Sequence, residues 1–321
     1  MDGHCQICQY DISLRFELKC LKLFDLLIFI IYYTIFNMKK GIIILPVLIL
    51  VFFWNFSLAE KPQKSGWNLA IQSYTFHKFS LKESIVKANL TGIKNVEAFY
   101  NQPLGEGLEG TLLTMDEATQ KQLTAYAKSQ KVKIVATGVV SNKKRDDWEK
   151  IFQLASSMGI EIITCEPKYE DLKYVDELAN KYKIDVAIHN HPKPSDYWNP
   201  DLFLENVKGL SERIGGCADI GHWKRMGIDP VEGLKNYGTR LKVVHLKDIE
   251  AKQEGKDYQD DVVLGKGIIE INSIFKELKN QKFKGLFAIE FEGDQQTLMA
   301  DVEKYVHFFN KSVTELFNNQ K

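Results

Sequence analysis

Acids and histidines close the ends of five apolar segments in the second half of this 321-residue chain. The strings are C-E-P at Glu166, H-N-H at His189 to His191, A-D-I-G-H at Asp219 to His222, V-V-H-L-K-D at His245 to Asp248, and A-I-E-F-E-G at Glu290 to Glu292. They hold four of the seven histidines of the chain. Imidazoles and carboxylates gathered at the same end of several strands are typical of a metal site.

The elements that must position these residues alternate between strand and helix from Trp67 onward. The predicted strands are Leu69–Ser73, Ile93–Ala98, Val132–Thr137, Ile160–Cys165, Asp185–His189, Gly216–Ile220, Leu241–Leu246 and Leu286–Phe291. Two helices are predicted from capping boxes, Ser80 to Glu83 and Thr114 to Glu117. The others are Asp146–Met158, Asp171–Tyr182, Pro200–Ser211, Pro230–Tyr237, Ile271–Asn280 and Thr297–Phe317.

Short, continuously apolar strands are typical of a parallel sheet that is buried on both faces. Eight strand–helix units in about 260 residues predict one α/β domain, a closed (β/α)₈ TIM barrel, over residues 60–321. An open doubly wound sheet is the alternative. It requires a glycine-rich loop after the first strand, and the segment Gln72 to Phe76 contains no glycine.

In such a barrel the carboxyl ends of all strands meet at one mouth. The predicted metal ligands are therefore the residues that end strands four, six, seven and eight: Glu166, Asp219, His245 and Glu290. Three carboxylates and one imidazole favour Mn²⁺, with Mg²⁺, Co²⁺ and Zn²⁺ as alternatives. Because strands four and eight lie opposite each other, Glu166 and Glu290 are also expected to flank a substrate and move its proton, with the metal stabilising an enediolate.

The strings E-P, H-N-H-P, D-I-G-H, H-L-K-D and I-E-F-E-G resemble the sugar phosphate isomerase/epimerase superfamily of xylose isomerase-like TIM barrels. The resemblance covers Trp67 to the C-terminus and implies metal ligands at the same four residues. It also implies that His191, His222 and Lys247 contact the substrate. Members of this superfamily include ketose 3-epimerases, hydroxypyruvate isomerase, inosose dehydratase and a DNA-repair endonuclease.

The H-N-H string departs from the epimerase pattern, in which a metal-binding glutamate stands on strand five where this chain has His189. A histidine-rich strand five is more similar to the inosose dehydratase branch, which implies elimination of water or an alcohol from a keto-sugar. His191 would then be the acid that assists the leaving group, and Lys247 would hold a substrate oxygen. His189 itself is expected either to reach the reacting groups as a substrate-binding residue or only to hydrogen-bond its neighbours.

Two further residues are candidates for substrate binding. Glu97 ends strand two and is expected either to bind substrate or to form a structural salt bridge. Trp223 follows D-I-G-H on a predicted mouth-side loop, where it would either close over a sugar or simply cover the loop.

The N-terminal part of the chain is expected to lie outside the barrel. Residues 38–59 have a basic start, an apolar stretch and a small-residue end, which predicts a cleaved signal peptide and a periplasmic or secreted protein. An uncleaved membrane anchor is the alternative. Residues 1–37 precede that signal and do not fit it, so Met38 is expected to be the true start.

Charge and cysteine content exclude further classes. Residues 60–321 carry 37 Lys and Arg against 38 Asp and Glu, so no basic surface for nucleic acid is expected. Cys165 and Cys217 differ in strand parity, with Cys217 predicted to point into the barrel and Cys165 outward. A disulfide between them is therefore not expected.

The sequence leaves three functions open. The leading hypothesis is an exported, divalent-metal-dependent sugar isomerase or epimerase that acts through an enediolate on an unphosphorylated sugar or keto-sugar. The alternative is a metal-dependent lyase or dehydratase that eliminates water or an alcohol from a keto-sugar or keto-glycoside. A non-catalytic sugar-binding barrel is the third. A small sugar is the expected partner in each case, a membrane is involved only through the signal segment, and the oligomeric state stays open.

Overall fold

Eight parallel strands close into a barrel in the computed structural model, which describes residues 66–318. The strands are β1 (Asn68–Gln72), β2 (Asn95–Phe99), β3 (Lys133–Ser141), β4 (Ile162–Glu166), β5 (Asp185–Ile188), β6 (Ile214–Asp219), β7 (Leu241–Leu246) and β10 (Leu286–Ile289). Their order around the barrel follows the chain, and β10 closes it between β7 and β1. The predicted (β/α)₈ TIM barrel is confirmed.

Helices connect the strands on the outside of the barrel. They are α1 (Leu81–Leu90), α2 (Glu117–Ser129), α3 (Arg145–Met158), α4 (Leu172–Tyr182), α5 (Pro200–Asn206), α6 (Ile220–Arg225), α7 (Pro230–Tyr237), α8 (Ile271–Asn280) and α9 (Leu298–Asn318). The capping box at Ser80 is confirmed, because Ser80 and Glu83 bond each other's backbone N–H. The one at Thr114 is wrong: Asp116 caps α2, and Thr114 accepts the N–H of Thr111 instead.

Two elements at the mouth were not predicted. The short helix α6 begins directly after β6, where a loop was expected. The connection from β7 to α8 contains a small antiparallel hairpin of β8 (Asp248–Ile249) and β9 (Asp261–Val262). We call residues 248–262 the mouth hairpin. Both elements carry side chains of the site described below.

The core has an inner and an outer part. Inside the barrel, small side chains fill the narrow space beneath the strand ends, among them Ala70, Ala136, Ala187 and Cys217. Larger apolar side chains pack between the strands and the helices, and Cys165 belongs to this outer part. The opposite facings predicted for the two cysteines are confirmed, and both thiols are free.

The predicted extension of residues 1–37 and signal segment of residues 38–59 lie outside the described residues, so they stay predictions. Between residues 66 and 318, no helix has the combination of length and apolar character that a membrane crossing requires.

Candidate metal centre and active site

Four buried side chains at the mouth bring potential metal-ligand atoms together. His189 follows β5, Asp219 ends β6, His245 lies in β7 and Glu290 follows β10. One nitrogen or oxygen from each of the four lies within 4.8 Å of the others. Three of these were predicted as ligands. The fourth position of the group is taken by His189 and not by Glu166.

Two atoms of this group have no hydrogen-bond partner within the described part of the chain. They are His189 Nε2 and Asp219 Oδ2, which are both buried and lie 3.8 Å apart. An unsatisfied polar atom in a buried position costs about 1–3 kcal/mol, so such an atom requires an explanation. A divalent cation between them would satisfy both, and the donor set of two imidazoles and two carboxylates fits such an ion.

The D-I-G-H string explains how one oxygen of Asp219 stays free. Asp219 is the N-cap of α6, and its Oδ1 accepts the backbone N–H of His222 at 2.7 Å. Its Oδ2 is left to face the centre. The backbone of Asp219 is held as well, since Asn190 exchanges two hydrogen bonds with it, at 2.7 and 3.0 Å. Asn190 is the middle residue of H-N-H, and it was not predicted as a functional residue from the sequence.

Each histidine of the group is oriented by a carboxylate on its other ring nitrogen. His245 Nε2 donates to Glu97 Oε2 at 2.9 Å, and His189 Nδ1 donates to Glu166 Oε1 at 3.2 Å. This carboxylate–histidine arrangement fixes each ring. It leaves His189 Nε2 without a partner, whereas His245 Nδ1 lies 3.0 Å from Glu290 Oε2, another atom of the same group. Burial lowers the pKa of His189, but Asp219 and Glu166 outweigh it and raise the pKa overall. The surrounding carboxylates thus favour positive charge on this ring.

Glu166 links the metal group to a second histidine. Its Oε1 also accepts from His191 Nδ1 at 2.6 Å and from the His191 backbone N–H at 3.0 Å, and its Oε2 accepts from Ser195 Oγ at 2.9 Å. Burial raises the pKa of Glu166, but the bonds from His189 and His191 hold it well below the usual range. Glu166 is therefore an ionised acceptor, and the outer nitrogen of His191 is left for the cavity.

Lys247 bridges the carboxylates on the other side of the centre. Its Nζ lies 3.7 Å from Asp219, 3.6 Å from Glu290 and 3.1 Å from Glu292, and its side chain is fully buried. Burial lowers the pKa of Lys247, whereas these carboxylates raise it well above the usual value. Gly221 makes room for it, since a Cβ there would lie 2.7 Å from Lys247 Cγ. Lys247 thus stays charged beside the metal group.

A cavity of about 770 Å³ opens above these groups. Its lining includes the polar side chains of His191, His222, Glu290 and Glu292 and the aromatic side chains of Tyr74, Phe99, Tyr100 and Tyr258. This volume lies within the range of about 300–1,000 Å³ that is typical of small-molecule sites.

The structure separates the sequence-predicted residues into three sets. Asp219, His245 and Glu290 belong to the metal group, and His191, His222 and Lys247 lie at its edge. His189, which was expected to bind substrate or only to hydrogen-bond its neighbours, bonds Glu166 and belongs to the metal group. Glu97 and Glu166 lie behind the histidines and hold them. Glu97 forms the structural ion pair that was one of its two expected roles, whereas Glu166, expected as a metal ligand, lies outside the metal group.

The position of Trp223 corrects the expectation that it closes over a sugar. It lies in α6 and is fully buried, where its ring packs against Tyr237 at 5.0 Å between centroids. The reason is that a helix, not a loop, follows β6 and turns this side chain toward α7. Besides Asn190, neither Ser195 nor Asp261 was predicted as a functional residue from the sequence. Both stand outside the strand-end strings.

Comparisons with known proteins agree with this architecture. The family model of the xylose isomerase-like TIM barrel matches residues 86–311. Inosose dehydratase 2 of Bacillus cereus is 27% identical over 139 residues, which are 39% of this chain and 46% of that protein. The chain thus spans about half the length of the curated relatives it matches.

Two solved structures are similar over most of the barrel. An uncharacterized protein from Parabacteroides distasonis is 34% identical, with 77% of this chain and 99% of that chain covered and a TM-score of 0.63. The IolI protein with a bound zinc atom is 17% identical, with 78% and 99% covered and a TM-score of 0.61, a likeness that shows the fold alone. The matched family model extends from α1 to α9, and on this evidence the chain belongs to the xylose isomerase-like TIM barrel family.

Proposed function

We propose that this protein is a metal-dependent lyase that eliminates water or an alcohol from a keto-sugar or keto-glycoside. The observation that carries the proposal is the pair of Glu166 and His191 beside the unsatisfied atoms of His189 and Asp219. The pair supplies one acid–base group at the cavity wall, next to a site for a cation. The similarity to inosose dehydratases supports the same class.

The metal would be held by His189, Asp219, His245 and Glu290, in place of the predicted set with Glu166. When bound, a divalent ion stabilises negative charge that develops on the oxygen of a substrate carbonyl. Two imidazoles favour zinc, cobalt or iron over magnesium more than the predicted single imidazole does.

His191 performs the proton transfers in this proposal. Its Nε2 removes the proton from the carbon next to the substrate carbonyl, and the electron pair enters the enediolate. The enediolate then expels the oxygen substituent of the neighbouring carbon. His191 returns the proton to that oxygen, so water or an alcohol leaves and a carbon–carbon double bond remains. Glu166 stabilises the imidazolium that forms between the two steps.

The buried state of Glu166 is the reason for preferring elimination over epimerisation. An epimerase needs two acid–base groups on opposite faces of the substrate. Both oxygens of Glu166 are engaged by His189, His191 and Ser195, so Glu166 is poorly placed to act on a substrate carbon. Isomerisation or epimerisation is the second candidate, because Glu292 also lines the cavity with a side chain that is 39% exposed.

The proposal includes export through residues 38–59, and with it an unphosphorylated substrate. Its test uses the purified protein with bound metal, incubated in D₂O with 3-keto-glucosides and with free ketoses and followed by NMR. Release of an aglycone or of water, with new alkene signals, is the expected result, and it should disappear in His191→Gln. The matched control is His307→Gln, an exposed histidine of α9.

Two other outcomes of this experiment would contradict the lyase proposal. Deuterium at one carbon of an otherwise intact sugar would replace the lyase proposal by the second candidate. If the metal-loaded protein reacts with neither type of substrate, the lyase and the isomerase or epimerase proposals are both contradicted. The non-catalytic sugar-binding barrel is then the remaining function.

A further inference from the structure

His222 meets a partner that can only donate hydrogen bonds. Arg225, one turn further along α6, places its Nη1 3.3 Å from His222 Nδ1. A guanidinium has five N–H donors and no acceptor, so His222 Nδ1 must be the acceptor. A protonated Nδ1 would bring two N–H groups against each other. The neutral ring therefore carries its proton on Nε2.

We infer that Arg225 is a positioning residue that fixes His222 as the Nε2–H tautomer, and that the mouth hairpin holds Arg225 in the orientation this requires. The inference rests on the proposed function only for the role of this N–H toward a substrate. The tautomer itself depends on neither substrate nor turnover.

The mouth hairpin engages the rest of the guanidinium. Nε and Nη2 of Arg225 donate to the Gln259 carbonyl at 3.0 and 2.7 Å, and Nη2 also pairs with the Asp261 carboxylate. The ring of Tyr258 lies 4.2 Å from Arg225 Cζ. The side chains of Arg225 and Asp261 are only 4% and 2% exposed, so this ion pair is sheltered from water. With these donors used, Nη1 is the one directed at His222.

The fixed proton faces the centre. His222 Nε2 lies 3.6 Å from the unsatisfied Asp219 Oδ2, and the ring centroids of His222 and His191 are 5.4 Å apart. Both histidines line the cavity. His222 thus offers a hydrogen-bond donor to a substrate oxygen, while His191 keeps the proton transfer. The two histidines have different roles because His191 Nδ1 donates to the Glu166 carboxylate, whereas His222 Nδ1 accepts from the Arg225 guanidinium.

The same tautomer decides on one of three overlapping groups of potential metal ligands among the described residues. Nitrogens of His189, His191 and His222 also lie within 4.8 Å of one another and resemble a three-histidine site. A protonated Nε2 has no lone pair for a metal. Arg225 therefore keeps His222 out of the coordination, which excludes the three-histidine group and is consistent with an ion in the group with Asp219 and Glu290.

The test is the ¹⁵N NMR spectrum of the histidine rings in the full-length protein, measured both after chelator treatment and with zinc added. The His222 signal is assigned by its loss in His222→Gln. We expect His222 Nδ1 to resonate as an unprotonated nitrogen and Nε2 as a protonated one. His77 is an internal reference of the opposite kind, because its Nδ1 lies 2.9 Å from the Tyr74 carbonyl, which can only accept.

Arg225→Met should let the Nδ1–H form of His222 appear, whereas Lys224→Met, which removes the neighbouring charge of the same helix, should leave the spectrum of His222 unchanged. Circular dichroism of each variant verifies the fold. A wild-type His222 with a protonated Nδ1 overturns the inference even if Arg225→Met does not fold. So does a folded Arg225→Met protein in which His222 keeps the pure Nε2–H pattern. Neither result depends on whether the protein is a lyase.

Discussion

Replacing Glu166 by glutamine distinguishes an orienting carboxylate from a metal ligand. In the wild-type protein His189 Nδ1 lies 3.2 Å from the Glu166 carboxylate. Glutamine keeps the length of this side chain and one acceptor oxygen for His189 Nδ1. It removes the charge and replaces the second oxygen, which accepts from Ser195 Oγ, by an NH₂ group. A hydrogen bond to a charged group contributes about 1.5–3 kcal/mol and one between neutral groups about 0.5–1.5 kcal/mol. The loss of roughly 1–1.5 kcal/mol at His189 corresponds to about a tenfold weaker metal affinity.

This value agrees with the roughly 10–100-fold loss that is usual when a residue behind a metal ligand is changed. His189→Gln removes a proposed ligand, so its metal affinity should fall far beyond that range. The assay is calorimetric titration of chelator-treated protein with Zn²⁺ or Co²⁺, with His307→Gln as the matched control. The reasoning is refuted if Glu166→Gln no longer binds metal while His189→Gln binds it as the wild type does.

The remaining predictions concern the groups around the centre. Glu97→Gln should weaken metal binding by about 10–100-fold, because Glu97 orients His245; an unchanged titration would contradict that role. Lys247→Met should cost the metal-free protein about 3–5 kcal/mol of unfolding free energy, since it leaves buried carboxylates unpaired. The control Lys242→Met breaks a partly exposed pair with Asp185 and should cost less than about 1 kcal/mol; equal losses in denaturant melts would refute the argument. Metal at about 1,000 times its Kd should stabilise the fold by about 4 kcal/mol, which is measured as a rise in Tm that a chelator reverses. A Tm that does not change when metal is added would contradict the site.

The barrel was predictable because its signals are local and repeated. Continuous apolar strands, helix caps and the alternation of strands with helices are all visible in the sequence. For three elements, among them β7 at Leu241–Leu246, the predicted first and last residues were both correct. The wrong predictions lie where a single capping side chain, and not the apolar periodicity, decides where a helix begins. Asp116 is the better N-cap than Thr114, and Asp219 caps a helix that no apolar periodicity announced.

The site was predictable in its position but not in its detail. Strand-end residues were rightly expected at one mouth, and Asp219, His245 and Glu290 do meet there. Residue spacing could not show that His189, and not Glu166, belongs to the metal group, because both residues lie at the ends of neighbouring strands. The hydrogen bond between their side chains decides which of the two faces the centre. Arg225 and Asp261 are 36 residues apart, and their pairing depends on the fold of the mouth hairpin.

Anomalous diffraction from crystals of the protein grown with Zn²⁺ or Co²⁺ tests the central claim most directly. The account predicts one strong metal peak at bonding distance from His189 Nε2, Asp219 Oδ2, His245 and Glu290, with Glu166 still bonded to His189 and His191. A peak that is coordinated by Glu166, or by the three histidines that include His222, would contradict it.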